Sequence, residues 1–508
     1  MKGLYKFLLA ATVLASCNSV PKEVINAKGE YVGKQPKYVF YFIGDGMSQP
    51  QITMAEKAIN DDGFLSQFNT QTCNIYNVQK GYSLNVKRLT NSGMATTNAE
   101  NRFITCSAAA ATALATGHKT TINTISKNGD RTENLKAVTE MARDKGMKVG
   151  VITSVSIDHA TPACFYAHCD DRNNYEEIGH WLLKSNFDFF GGGNVRWNDY
   201  KDMTKEQFFD SLKLKGYTIA TDLQSFNALN NKTGKIFTTI PKNMEKVHDG
   251  SSLPYNIDLD IQSSDDNRLV LRDFVKKAVE CLYNEDKGFF IMTEGGKIDW
   301  TDHANDAVAN VYETIAFDHA VGVALEFYQQ HPDETLIVFT GDHECGGLTL
   351  GFAGTHYESA FNLMKNQTIS YQEFSDQDKK FFEKKPSFEE TLEWIKQNFG
   401  LGDPDVLPLS DYELKRLRTA YDEVNRFLEK KESALSKEER YLYYGNYDYL
   451  CVTATHILDN KVGVDWASYS HTALPVPIYS IGHGSELLNG YIDNTDIPNT
   501  IMKVVGLK

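Results

Sequence analysis

Asp299 and His303 are four residues apart, a spacing that puts both on one face of a helical turn. Glu294 stands just before them, after the apolar run 289–293. A second pair, Asp342-His343, follows the run 336–340, and His471 lies far downstream in Tyr469-Ser470-His471-Thr472. Mixed oxygen and nitrogen donors suit Zn²⁺, and an oxygen-only set suits Mg²⁺. Any one of these residues is more often a helix cap or a core hydrogen-bonder. Several at successive strand ends make a stronger pattern, although spacing alone does not assemble them into one site. Ser107 adds a different chemistry. It opens an Ala-rich segment that closes at Gly117. A plain capped helix is the simplest reading. The functional reading puts a hydroxyl at a helix N-terminus, where free N–H groups and the dipole stabilise an alkoxide or a phosphoserine.

These residues need strands to carry them. Residues 38–43 form an aromatic and β-branched run that ends at Gly44-Asp45-Gly46. Runs 149–153, 289–293 and 336–340 have the same character, and 135–145 has helical periodicity stopped by Gly146. Alternating strands and helices predict an α/β fold with a mostly parallel central sheet flanked by helices. Such sheets bind ligands at the carboxyl ends of their strands. Residues 355–460 read as a helical insertion. Ser387 with Glu390 and Ser410 with Glu413 form capping boxes there, each followed by apolar residues at helical spacing.

The 508-residue chain carries a formal net charge of −15, which argues against a nucleic-acid-specific partner, since that needs clustered Lys and Arg. A phosphate substrate is not excluded, because bound cations reverse the field inside a pocket. Lys2 and Lys6 precede a short apolar run, 7–15, and Leu14-Ala15-Ser16-Cys17 then matches a lipoprotein cleavage pattern. The expected organisation is a signal peptide at 1–16, a lipidated Cys17 with a tether to residue 36, and one domain over 37–508. The expected location is the cell envelope, with the protein lipid-anchored to a membrane and facing the periplasm or the outside. The eight cysteines show no CxxC pair, and the sequence leaves open which of them form disulfides.

Taken together and in order, these segments resemble the bacterial alkaline phosphatase family. The resemblance rests on Phe42-Ile43-Gly44-Asp45-Gly46, Cys106-Ser107 through Gly117, and His159-Ala160-Thr161-Pro162 through His168 and Arg172. Glu294 through Asp299 to His303, then Asp342-His343, then His471-Thr472 complete it. It implies an alkaline-phosphatase-like sandwich that hydrolyses small phosphomonoesters through a phosphoserine on Ser107. It implies two Zn²⁺, one held by Asp299, His303 and His471 and one by Asp45, Asp342 and His343. It implies one Mg²⁺, open to replacement by Zn²⁺ or Co²⁺, held by Asp45, Thr161 and Glu294. Arg172 is implied to grip the phosphate, and relatives commonly form homodimers.

The sequence departs from the family pattern in three ways. Cys106 stands where many relatives have an Asp that orients the arginine, so Arg172 is looser or held by another group. Cys345 stands where some relatives have a further His. His159 and Trp300 stand where the best-studied bacterial enzyme has Asp and Lys, which leaves the third metal open and makes His159 and Trp300 third-site or neighbouring candidates. His168 is expected to be structural, inside a helix starting near Pro162. His483 and Gly191-Gly192-Gly193 read as loop and turn residues. The rival readings are a phosphodiesterase or sulfatase of the same superfamily, and a lipoprotein that only binds metal or phosphate.

Overall fold

A computed structural model describes residues 24–61, 64, 83–240, 250–259 and 269–508. The expected leader, Cys17 and Cys73 lie outside these residues. Strands that are apolar on both faces must be covered on both sides. In β1 (Tyr38–Gly44), Phe40 and Phe42 point into one buried cluster, and Val39, Tyr41 and Ile43 into another. The same alternation places Phe289 and Ile291 on one side and Phe290 and Met292 on the other within Phe289–Gly295.

The strands after β1 are β2 (Asn91–Ala95), β3 (Lys148–Thr153), β4 (Phe189–Gly192), β5 (Tyr217–Ala220), β6 (Lys235–Thr239), β7 (Phe289–Gly295), β8 (Thr335–Gly341), β9 (Glu344–Cys345), β10 (His471–Thr472), β11 (Val476–Gly482) and β12 (Gly490–Ile492). Ten of them form one sheet in the order β12-β2-β11-β8-β1-β7-β3-β4-β6-β5. Only β11 runs against its neighbours, β8 and β2. The expected α/β class with a mostly parallel sheet is borne out. β9 and β10 pair separately as a two-stranded antiparallel ribbon.

One face of the sheet is covered by the helix Ala307–Gln330, through Val308, Val311 and Ile315. The other is covered by the helices Ser107–Thr116 and Asp496–Val505. Ser107–Thr116 is buried along its whole length, and its alanines let it lie close against neighbouring elements. The capping boxes at Ser387 and Ser410 start the helices Phe388–Phe399 and Asp411–Lys430. With Tyr371–Phe382 and Tyr449–Val462, these belong to the same hydrophobic cluster as the main sheet, through Phe374, Ile395, Leu417 and Ile457. The buried Asp306 carboxylate fixes the junction. It accepts from Ala309 N at the start of the Ala307–Gln330 helix, from Tyr371 N and from Gln367 Nε2, at 2.8–3.0 Å.

Two local expectations are corrected. The helix expected at 135–145 is Val138–Asp144, because Asn134 is held extended in a bridge to Lys127 and Ala137 is the extended N-cap, its N–H accepted by Glu140. The helix near Pro162 is a single turn, Ala160–Ala163, and the chain then bends so that Cys169 can bridge Ile125. His168 therefore lies outside any helix.

Register brings the functional ends together. Gly44 stands opposite both Gly295 and Gly341, and Thr153 opposite Glu294. Gly46, just beyond β1, has φ +75°, and a Cβ there would lie 2.6 Å from Asp299 Cα. Gly146 has φ +91° with nothing within 4 Å of a Cβ. Gly146→Ala should therefore cost only the left-handed strain, about 1–2 kcal/mol. Gly46→Ala should cost roughly 1–3 kcal/mol more, for overpacking against the Asp299 backbone. Denaturant unfolding of the two variants tests this, and equal losses would contradict it.

Candidate active site

Four carboxylates converge where these strands end. Asp45 follows β1, Asp342 follows β8, Glu294 lies within β7, and Asp299 lies in the helix Lys297–His303. The expectation that Glu294 follows its strand is corrected, since pairing with β1 and β3 carries β7 past it. All four are buried, the most exposed at 4%. Burial, then the charge of Asp299, pushes the Asp45 carboxyl up to about 7. Burial and the charge of Asp45 push Glu294 and Asp342 well above the usual carboxylate range. Burial acts the same way on Asp299, but His303, His471 and His343 outweigh it and hold that group well below its usual value. An array of this kind is costly without cations.

The histidines point to what compensates it. His303 Nδ1 lies 2.7 Å from Tyr469 O, and His471 Nδ1 lies 2.9 Å from Thr105 O. A carbonyl can only accept, so both Nδ1 atoms carry hydrogen and each ring turns its Nε2 inward, where it is free to bind a cation once it carries no proton. Those two Nε2 atoms are 3.1 Å apart, and each is 3.4 Å from Asp299 Oδ1. Two Nε2 atoms and a carboxylate oxygen converging at these distances suit a shared cation. His343 Nε2 is similarly placed, 3.3 Å from Asp45 Oδ1 and 3.4 Å from Asp342 Oδ2. Asp45 Oδ1, Glu294 Oε1 and Asp342 Oδ2 are buried without a hydrogen-bond donor.

Among the described residues, three groups have donor atoms within 4.8 Å of one another: Asp299, His303, Cys345 and His471; Asp45, Asp299 and His343; and Asp45, His159 and Glu294. Thr161 Oγ1 lies 3.5 Å from Asp45 Oδ2, next to the third group. Thr153, unremarked in the sequence beyond ending a strand, donates its hydroxyl to Glu294 Oε2. Only strand register reveals that pairing. The mixed N/O and mainly oxygen sets fit zinc and a harder ion respectively.

Ser107 is the first residue of its helix, and its Oγ lies 3.3 Å from His343 Nε2. Arg172 donates from Nη2 to His159 Nε2 at 3.2 Å, and its backbone N is held by Asn123 O. His159 is thus the other group that holds the arginine. Cys106 Sγ instead accepts from Asn123 N. Trp300 packs edge-on against His159, ring centroids 5.9 Å apart. Ser107, His159, Arg172, Asp299, Trp300, His303 and His471 line one pocket of about 420 Å³.

Arg196, Tyr371 and Tyr447 also line this pocket, and sequence reasoning missed them. Arg196 follows the glycine-rich segment without a motif. The tyrosines come from the helical insertion, where only three-dimensional packing marks them. His168 stands apart from the metal groups, with Nδ1 2.8 Å from Ser126 O and its ring edge-on to Trp181. His483 lies 3.8 Å from Asp333, outside the site. None of the described cysteines is in a disulfide.

The alkaline phosphatase family model matches residues 36–507. Alkaline phosphatase 4 of Bacillus subtilis (strain 168) is 29% identical over 514 residues, covering 98% of this chain and 95% of its own. A cold-active alkaline phosphatase from the psychrophile Shewanella sp. superposes with a TM-score of 0.71 at 25% identity, over 92% of this chain and 99% of its own. The alkaline phosphatase of the Antarctic bacterium TAB5 gives 0.60 at 25% identity, over 94% and 100%. Variants of the TAB5 enzyme with one histidine changed to Asp or Glu hold Mg in its M3 site.

Metal content tests the grouping. Asp45 belongs to two of the three groups and His471 to one. Asp45→Asn should therefore retain two fewer ions than wild type, and His471→Ala one fewer. Chelation should lower the thermal midpoint of wild type, and Zn²⁺ should restore it. Equal metal content in all three proteins would refute the assignment.

Proposed function

The chain belongs to the alkaline phosphatase family, and from that premise we propose how its site works. It is a phosphomonoester hydrolase. Ser107 is the nucleophile. The observation that carries this reading is its hydroxyl, at the N-terminus of a buried helix, 3.3 Å from His343 Nε2 and in one pocket with Arg172.

Asp299, His303 and His471 would hold a first Zn²⁺, and Asp45, Asp342 and His343 a second. Asp45, Thr161 and Glu294 would hold Mg²⁺. Bound there, the ions supply Lewis acidity that offsets charge on the attacking and leaving oxygens. His159, beside the third set, tunes it toward Zn²⁺ or Co²⁺. The Mg bound by the TAB5 variants after a histidine was changed to Asp or Glu supports such tuning.

The chain's own groups divide the remaining work. Ser107 Oγ forms a bond to phosphorus as the bond to the leaving oxygen breaks, and the serine proton ends on that oxygen, which departs as the alcohol. The first turn of its helix holds negative charge at that position. Water then cleaves the phosphoserine, releasing phosphate and returning a proton to Ser107. Arg172 spends one N–H on His159 and presents the rest of its planar fork to two non-bridging oxygens. Tyr371 and Tyr447 bring the helical insertion to the pocket wall, where it governs access by the leaving group.

We further propose that the protein is exported and anchored by a lipid on Cys17, from the Leu14-Ala15-Ser16-Cys17 pattern. A fatty-acid label should enter wild type and not Cys17→Ala, which should leave the membrane fraction. A wild-type protein without an acyl group would end that reading.

The chemistry has its own test. Ser107→Ala should abolish hydrolysis of both monoesters and diesters. Arg172→Ser should slow monoesters about 10- to 100-fold more than diesters. A diester has lost one charged oxygen, and a charge-assisted hydrogen bond is worth about 1.5–3 kcal/mol. Equal slowing of both substrates would remove Arg172 as the phosphate clamp.

A further inference from the structure

β9 and β10 form a short ribbon whose register sets Cys345 directly opposite His471. Directly opposed side chains leave the same face of a ribbon, with Cβ atoms about 4.5–5.5 Å apart. His471 turns its Nε2 toward Asp299 and His303, so Cys345 is directed to the same place. Its Sγ lies within 4.8 Å of the donor atoms of all three residues. The side chain is fully buried and in no disulfide. We propose that Cys345 is a fourth protein donor at the Asp299–His303–His471 site and binds the metal there as a thiolate. The inference rests on reading that site as a zinc site.

The chemistry balances without a redox step. The S–H bond breaks as the sulfur–metal bond forms, and the proton leaves to solvent. The donor set becomes one oxygen, two nitrogens and one sulfur. Four protein donors would still leave room for a substrate oxygen, because zinc tolerates five donors. Sulfur biases this site against hard ions such as Mg²⁺, whereas the Asp45–Glu294 set offers mainly oxygen. The two kinds of site are thereby sorted for different metals within one cluster. The contrary arrangement is a neutral Cys345 thiol that donates a hydrogen bond to Asp299 and never touches the ion.

X-ray absorption at the zinc edge of the zinc-loaded, full-length protein separates the two. The proposal expects a sulfur shell at about 2.3 Å in addition to nitrogen and oxygen. In Cys345→Ser that shell should vanish while zinc remains. The intense near-ultraviolet sulfur-to-metal band of the Co²⁺-loaded protein should vanish with it. The variant should also yield one ion to a competing chelator at roughly 10-fold lower chelator concentration. Zinc bound through nitrogen and oxygen alone in wild type would overturn the proposal and leave the zinc site standing. This measurement decides the matter even if the variant does not fold. A wild-type protein that binds no zinc would overturn the site reading, and this inference with it.

Discussion

Everything in this molecule is arranged around an electrostatic conflict. Asp45, Glu294, Asp299 and Asp342 are buried together, and the rings of His303 and His471 turn their Nε2 atoms toward Asp299. Packing cannot make such a cluster favourable. Buried carboxylates must be protonated, paired or bound to cations. Asp299 is held in its charged form by protons on the surrounding histidines, and a bound cation can take over that role. Outer hydrogen bonds from His303 and His471 to backbone carbonyls turn the rings inward before any ion arrives. The same conflict that makes the cluster costly on its own favours a bound cation.

The fold supplies the rigidity that keeps the conflict in place. β1 pairs with β7 on one side and β8 on the other in matching register, so three strands end together and present Asp45, Glu294 and Asp342 side by side. Two hydrophobic layers press on the sheet, and neither can shift without exposing aromatic residues such as Phe40 or Tyr41. The ribbon of β9 and β10 brings in His471 from far along the chain. The helical insertion is part of this frame. Asp306 ties it to the main helix, and its tyrosines reach the pocket wall.

Much of this was legible in the residues because several signals were local. Apolar runs marked the strands, and the acidic and histidine residues after them marked the site's edge. Ser107 was visible as the opener of an Ala-rich helix. What remained hidden depends on register and on packing at a distance. Glu294 lies inside β7 because pairing extends the strand past the last apolar residue. The short turn at Ala160–Ala163 follows from the Cys169 bridge to Ile125, which no local pattern encodes. The grip of His159 on Arg172 and the position of Cys345 opposite His471 both need the folded chain. Arg196, Tyr371 and Tyr447 have no motif and become part of the site only through the pocket they share.

The central claim is that cations resolve the buried conflict at the strand ends and so equip Ser107 for attack. Anomalous diffraction at the zinc edge from crystals grown with Zn²⁺ tests it most directly. The account predicts separate zinc peaks among Asp299, His303 and His471 and among Asp45, Asp342 and His343, with the second beside Ser107 Oγ. Electron density with those residues in place but no anomalous peak among them would contradict it.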